Sequence, residues 1–282
     1  MISIVIPAHN EHLVIERCLS SILEDAGPEE LEVAVVCNGC TDDTAAKVRK
    51  LGDPRVTVVE TPVGSKIHAL NLGDQAVSGF PRLYVDADVE LGVEAIREVA
   101  TLLGDGSPIV VAAPRAKVAY QDRPWFLRSF YRVWTRLPYF SENMIGAGVY
   151  AFSREGRSRF GEFPNVTADD EYARLIAAPD ERKSTESTTF TIHPPRTLGG
   201  LLKILTRARA ARYELADRFP RMGDHGNTGA NRTLRTLVTS PSMWADAPIY
   251  LGITFWVIQR AKKKMRQKQS ETVWERDDSS RN

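Results

Sequence analysis

Residues 32–52 read EVAVVCNGCTDDTAAKVRKLG, and the fold turns on how that stretch is divided. EVAVVC (32–37) is a short apolar run rich in valine, the pattern of a strand buried on both faces. TDDTAAKVRKLG (41–52) opens on capping-type residues and closes on a glycine, as a helix does. Between them, Asn38-Gly39 has the chemistry of a tight turn. The same segment holds Cys37 and Cys40 in the C-x-x-C spacing of zinc knuckles and disulfide oxidoreductases. A structural zinc needs four ligands, however, and the chain adds only Cys18 and five scattered histidines. Cys37 ends an apolar strand, where a thiol is more often packing than chemistry. The turn reading prevails.

The same unit recurs on either side. ISIVIP (2–7), VTVVET (56–61) and RLYVDADV (82–89) read as further strands, with helical patterns over 11–26 and 65–77. Strands alternating with helices at this spacing predict an α/β fold, a mostly parallel sheet flanked by helices. Ligands of such sheets lie beyond the carboxyl ends of the strands. Those ends carry Pro7, Ala8, His9, Asn10 and Glu11, then Asn38 and Gly39, then Asp86, Ala87 and Asp88, so three polar clusters converge on one edge.

The middle of the chain is more mixed. PIVVAAPRAKVAY (108–120) reads as a strand, WFLRSFYRVWTRLPYF (125–140) as an aromatic helix, and MIGAGVYAFSRE (144–155) as a glycine-opened strand. The stripe Trp125, Phe126, Phe130, Tyr131 and Trp134 is expected to be core or the wall of a cleft. ADDEYARLI (168–176) starts a helix with acids in its first turn, TTFTIH (188–193) is a strand, and a long basic helix runs from about 198 to 219.

Bulk composition excludes several classes. The 282 residues are 43% hydrophobic and 26% charged, an ordinary globular balance, and the net charge of +1 gives no global pointer to nucleic acid. Three cysteines do not make a disulfide scaffold. The chain opens on a strand pattern without a leader, so the cytoplasm is the expected compartment. Cations are unevenly spread: five lie between Arg196 and Arg212 and six between Arg260 and Lys268, with no acid in either stretch. APIYLGITFWVI (247–258) precedes the second stretch and is shorter than the ~20 residues a bilayer-crossing helix needs. Together they read as an interfacial segment, with peripheral contact at the inner face of a membrane. A packed helix or homodimer contact with a solvated tail is the competing reading.

Asp86 and Asp88 carry the clearest chemistry. Two residues apart in a strand, they are expected on one side of the chain. Such a pair repels itself unless a cation compensates, and an all-oxygen donor set suits Mg2+ or Mn2+. His193, following a strand, is a candidate third ligand, although a lone histidine is more often structural. Lys66, at a helix start, either meets a ribose or phosphate oxygen or is solvated.

In order and spacing these segments resemble the family 2 glycosyltransferases of GT-A fold. Pro7-Ala8-His9-Asn10-Glu11 resembles the family's P-A-x-N-E opening, and Asn38-Gly39-Cys40-Thr41-Asp42-Asp43-Thr44 its D-G-S-x-D-x-T loop. Gly64-Ser65-Lys66 with Ala69-Leu70-Asn71 resembles G-K-x-x-A-L-N, and Asp86-Ala87-Asp88 matches D-x-D. Asp169-Asp170 sits where the family has paired acids. The resemblance covers about residues 1–215, implying a nucleotide-binding half near 1–120, an acceptor half near 121–215, and a helical extension with a basic tail over 216–282. It implies inverting, metal-dependent transfer of a sugar from a nucleotide-diphosphate donor to a hydroxyl acceptor, a glycan or lipid-linked sugar.

Residue by residue, the resemblance makes Pro7, Ala8, Asn10, Glu11, Asn38, Gly39, Lys66, Asp86, Ala87 and Asp88 the donor site. Asp170 becomes the base, with Asp169 second. Both open a helix, where the dipole is expected to lower their pKa values. Gly146, Ala147 and Gly148 fit a close backbone approach to the acceptor, or simply a tight turn. Two departures stand out. Asn38 replaces the acid that commonly meets the nucleobase, and no Q-x-x-R-W follows the paired acids. Arg207, Arg209 and Arg212 are the nearest substitutes for diphosphate contact. Two rivals remain: a sugar-phosphate nucleotidyltransferase, which should open on a glycine-rich G-x-G-T-R loop, and a sugar-nucleotide binding protein without transferase activity.

Overall fold

A computed structural model describes residues 1–141, 145–220 and 230–267. The chain forms two compact units, Met1–Lys117 with Ile145–Thr191 and Val118–Met144 with Ile192–Asn282. Each takes chain from two separated segments, so the linear ranges 1–215 and 216–282 do not coincide with them.

The first unit is built on β1 (Ile2–Ala8), β2 (Leu31–Asn38), β3 (Val56–Thr61), β4 (Arg82–Val85), β5 (Val111–Val118), β6 (Val149–Phe152) and β7 (Arg182–Ile192). They lie in the order β3-β2-β1-β4-β6-β5-β7. The first four are parallel, and β6 runs antiparallel to β4 and β5. β1, β2 and β4 are buried along nearly their whole length, which is why they read as unbroken apolar runs. The helices are α1 (Ile15–Leu23), α2 (Thr44–Leu51), α3 (Lys66–Ala76), α4 (Val93–Leu102), α7 (Arg154–Ser158) and α8 (Asp169–Ile176), with α5 (Trp125–Trp134) and α6 (Pro138–Ser141) in the other unit. α1 buries Ile15, Cys18, Leu19, Ile22 and Leu23.

One half-buried carboxylate ties three elements together. Asp74 of α3 accepts from Arg82 (2.5 Å) and Tyr84 (2.5 Å) of β4, and from Arg157 of α7 (2.6 Å). Burial alone would raise the Asp74 pKa, but these donors outweigh it and hold the carboxyl below its ordinary value.

Several boundaries depart from the sequence reading. The first helix begins at Ile15, not near Glu11, because Glu11 O accepts from Val14 N and Ile15 N in a leading turn. Pro7 lies inside β1, beyond Val5, the last residue paired with β4, so its missing N–H costs no bond on that side. β4 stops at Val85 rather than running to Val89. β7 begins at Arg182 rather than Thr188. Its first half, RKSTES, lacks apolar alternation and is pinned from outside. Glu98 of α4 accepts from the backbone N–H groups of Glu186 (2.7 Å), Ser187 (3.1 Å) and Thr188 (2.9 Å) and from the Ser187 hydroxyl (2.7 Å).

The second unit is helical. Its elements are α5 (Trp125–Trp134), α6 (Pro138–Ser141), α9 (Leu198–Arg218) and the helices Ala230–Thr239 and Ala247–Gln267. The aromatic helix expected over 125–140 breaks at Thr135, since Pro138 has no N–H to continue it. Phe130 and Tyr131 join Leu127, Leu201, Leu202, Ile253 and Val257 in the core, with Phe126 and Trp134 packed beside them. Trp125 stays 66% exposed. Among the described residues, no helix is long and apolar enough to cross a membrane.

Candidate active site

The carboxyl ends of β1 and β2 are knitted to each other. The Asn38 amide donates to Ala8 O at 2.8 Å, and Asn10 Oδ1 accepts from Thr41 N at 2.8 Å. Glu11 N donates to Thr44 Oγ1 at 2.8 Å, and His9 Nδ1 lies 2.6 Å from Asn38 O. Gly39 adopts φ +57°, and a Cβ there would stand 2.8 Å from the Cα of Gly64. Only glycine admits that backbone contact between the loops after β2 and β3. Pro7, Ala8 and Asn38 are buried and Asn10 and Gly39 half-buried, so this part of the expected donor site offers mainly loop backbone.

The same loop settles the cysteines. Cys40 Sγ donates to Ala8 O at 3.4 Å and accepts from Asn10 N at 3.4 Å. Burial pushes the Cys37 thiol up to about 12, and burial likewise raises Cys40. Thiols held in that form are poor nucleophiles and poor metal ligands.

Beyond β4 the chain turns at once. Asp86 N donates to Gly148 O (2.8 Å) and Val89 N to Asp86 O (3.0 Å). The period-two argument for Asp86 and Asp88 therefore does not apply, because both acids follow the strand. Asp86 is half-buried, Ala87 buried and Asp88 exposed.

Lys66, the first residue of α3, reaches into this turn. Its ammonium lies 2.7 Å from Asp86 Oδ1 and 3.1 Å from Asp169 Oδ1. Ser65 caps the helix, accepting from His68 N at 3.3 Å. Burial alone would lower the Lys66 pKa; Asp169, Asp86 and Asp170 reverse that and hold it well above the ordinary lysine value. The solvated alternative for Lys66 is thus corrected: it is the counter-ion of a carboxylate cluster.

Asp169 is buried, and its second oxygen accepts from the Tyr150 hydroxyl at 3.0 Å. Asp170 is half-buried; Oδ1 accepts from Glu171 N at 2.7 Å and Oδ2 from Ala147 N at 3.3 Å. Burial first, and the Asp169 charge second, raise Asp170 to about 6, against the downward pull of Lys66. For Asp170 the helix-dipole expectation is overturned, since enclosure and a neighbouring like charge outweigh a terminal partial charge.

Gly146, Ala147 and Gly148 bridge the two acid centres. All three have positive φ (+111°, +61° and +96°). A Cβ at Gly146 would lie 2.7 Å from Asp170 Oδ2, and one at Gly148 3.4 Å from Asp86 Oδ2. The turn lets the backbone approach these carboxyls. Sequence reasoning missed Tyr150, and it named Asn71 only as part of the G-K-x-x-A-L-N resemblance, without a role. Asn71 exchanges two bonds with the backbone of Phe163 (2.8 and 3.2 Å), in the segment leading to α8. A tyrosine in a buried strand must find a partner for its hydroxyl, and that was the available signal.

The residues at β4 fit a hard divalent ion. Asp86 and Asp88 present oxygen donors only, on a turn whose outer acid is exposed. The one soft group beside them among the described residues, the Cys18 thiol 3.9 Å from Asp86 O, is kept protonated by burial and by the two acids, and so is a poor ligand. His12, Asp42 and Asp43 also lie close enough together for one ion. There, however, Asp42 is spent on His12 (2.7 Å) and on the Thr44 backbone (3.0 Å) and hydroxyl (2.5 Å), as a helix-start clamp. His193 is exposed and belongs to the second unit, as do Arg207, Arg209 and Arg212. Arg212 donates to the Tyr139 hydroxyl at 2.7 Å and stacks over its ring at 4.6 Å.

The family model for glycosyl transferase family 2 matches residues 3–156, more than half of the chain. The chain belongs to glycosyl transferase family 2. Among curated relatives of this family 2 protein, the 4,4'-diaponeurosporenoate glycosyltransferase of Staphylococcus aureus is 28% identical over 182 residues. The match covers 61% of this chain and 45% of that relative, and the chain spans less than half the length of the curated relatives it matches. The mannosyltransferase of Pyrobaculum calidifontis, solved with GDP-Man and Mn2+, superposes with a TM-score of 0.70 at 21% identity, covering 95% of this chain and 88% of that one. The glucosyl-3-phosphoglycerate synthase of Mycobacterium tuberculosis, solved with Mn2+, UDP and glucosyl-3-phosphoglycerate, gives 0.54 at 23% identity over 77% and 79% of the two chains. At these identities the likeness establishes the fold, the GT-A Rossmann-like arrangement.

Proposed function

We propose that the protein is a metal-dependent inverting glycosyltransferase, moving a sugar from a nucleotide-diphosphate donor to a hydroxyl of a glycan or lipid-linked sugar. One observation carries the reading: Lys66 draws Asp86, past the end of β4, and Asp169, at the start of α8, into one cluster at the sheet edge where such folds bind ligands. Asp86 and Asp88 would hold Mg2+ or Mn2+, which supplies positive charge for the leaving diphosphate.

The chain's own residues do the rest. The loops of Asn10–Glu11 and Asn38–Gly39 receive the nucleoside. The acceptor oxygen attacks the anomeric carbon from the face opposite the diphosphate, and its proton passes to Asp170. The bond from that carbon to the phosphate oxygen breaks, and its electron pair leaves with the nucleoside diphosphate. A single displacement inverts the centre. Raised to about 6, Asp170 is ionised at neutral pH yet basic enough to assist a hydroxyl. Asp169, buried against Lys66 and Tyr150, holds the cluster.

One fold relative was solved with GDP-Man and another with UDP, so both bases belong in the test. A thermal-shift panel of UDP, GDP, dTDP and their sugars, with and without Mn2+, should show one metal-dependent donor. Slow hydrolysis of that donor to the nucleoside diphosphate should accompany binding. Stabilisation by a donor with no turnover would favour a binding protein instead.

A further inference from the structure

The helix Ala247–Gln267 has two unlike sides. Ile253 and Val257 pack into the core of the second unit, and Ala261 is fully buried. On the opposite side, by the 100° step of a helix, lie Leu251, Phe255 and Trp256, followed by Lys262, Lys263 and Arg266. The three apolar residues are 51%, 64% and 54% exposed. The three cations are exposed as well, and no acid occurs anywhere in the helix.

We propose that this face docks the protein on an anionic lipid surface. Leu251 to Trp256 is about one and a half turns, roughly 8 Å along the axis, enough to enter the headgroup–acyl boundary and too short to go deeper. Aromatic side chains, tryptophan above all, favour that boundary. The cations follow on the same side of the same helix, where phosphate headgroups would meet them. A second copy of the chain is the poorer occupant, because it would bring two acid-free cationic segments together. The charge on the face selects a negatively charged partner, and its apolar half selects one with a hydrocarbon boundary.

The test uses the full chain and co-sedimentation with vesicles of phosphatidylcholine alone or mixed with phosphatidylglycerol, at low and high salt. Binding should require phosphatidylglycerol and collapse at high salt. The double variant Lys262→Ala, Lys263→Ala should weaken partitioning roughly 30-fold at low salt, each juxtamembrane cation being worth about fivefold. Phe255→Ser with Trp256→Ser should abolish it, with unchanged circular dichroism and melting temperature because both side chains are exposed. If that pair fails to fold, the lysine variant decides. Absence of binding, equal binding to neutral vesicles, or indifference to both variants would overturn the proposal. So would a concentration-dependent dimer in sedimentation equilibrium that the aromatic variant dissolves, since the face would then be a contact between copies.

Discussion

Lys66 Nζ stands 2.7 Å from Asp86 and 3.1 Å from Asp169, joining the turn after β4 to the start of α8 through one ammonium group. The two acids are 83 residues apart in sequence, and their mutual repulsion is offset only while a cation sits between them. With the lysine 19% and Asp169 5% exposed, water screens little of that pair, whereas Asp86, 38% exposed, is partly screened.

Lys66→Met should therefore destabilise the fold by about 3–5 kcal/mol at neutral pH, the scale for breaking a buried pair and leaving its charge behind. Added Mn2+ should raise the melting temperature of the variant more than that of the wild type. Differential scanning fluorimetry with and without Mn2+ checks both.

Asp170→Asn should lower turnover by two or more orders of magnitude while donor affinity barely changes. Asp170 is raised to about 6, and a base must be ionised, so kcat/KM should climb with pH through about 6 and that limb should vanish in the variant. The stability sign is opposite. A carboxyl raised above its unfolded value favours folding at acid pH and loses that contribution as pH rises through about 6. Asp170→Asn should then be more stable than wild type at pH 8, by on the order of 1–3 kcal/mol. Asp169→Asn should harm folding more than chemistry; turnover lost in Asp169→Asn but kept in Asp170→Asn would exchange the two roles.

Asp88→Ala should remove the divalent-dependent part of donor binding without unfolding the protein, since Asp88 is exposed. Calorimetric donor affinity that EDTA leaves untouched would refute the metal assignment.

Cys37→Ala combined with Cys40→Ser should keep activity within a few-fold of wild type. The loop acts through its backbone and Asn38, and burial holds both thiols protonated. Zinc found by mass spectrometry of the native protein would contradict this.

Asp74→Ala should cost about 3–5 kcal/mol in urea unfolding, because it leaves the buried Arg82 and the largely enclosed Arg157 without their shared carboxylate. Donor affinity of the folded fraction should not change.

The α/β alternation, the parallel β1–β4 and the clustering of Pro7–Glu11, Asn38-Gly39 and Asp86–Asp88 at one sheet edge were all legible from local pattern. Buried parallel strands must be apolar throughout, and turns must carry residues that tolerate them. The start of β7 was not legible, since its polar first half is held by Glu98 from another element. Nor was the place of Lys66. A lysine at a helix start looks solvated until the fold brings Asp86 and Asp169 to it. The raised pKa of Asp170 escaped for the same reason: the helix dipole is local and visible in sequence, whereas enclosure beside Asp169 and the Gly146–Gly148 turn exists only after folding. Sequence alone determined which segments become strands and helices and which residue types reach the sheet edge. Tertiary structure decided which charges face one another there, because electrostatic partners are chosen by distance in space and by exclusion of water.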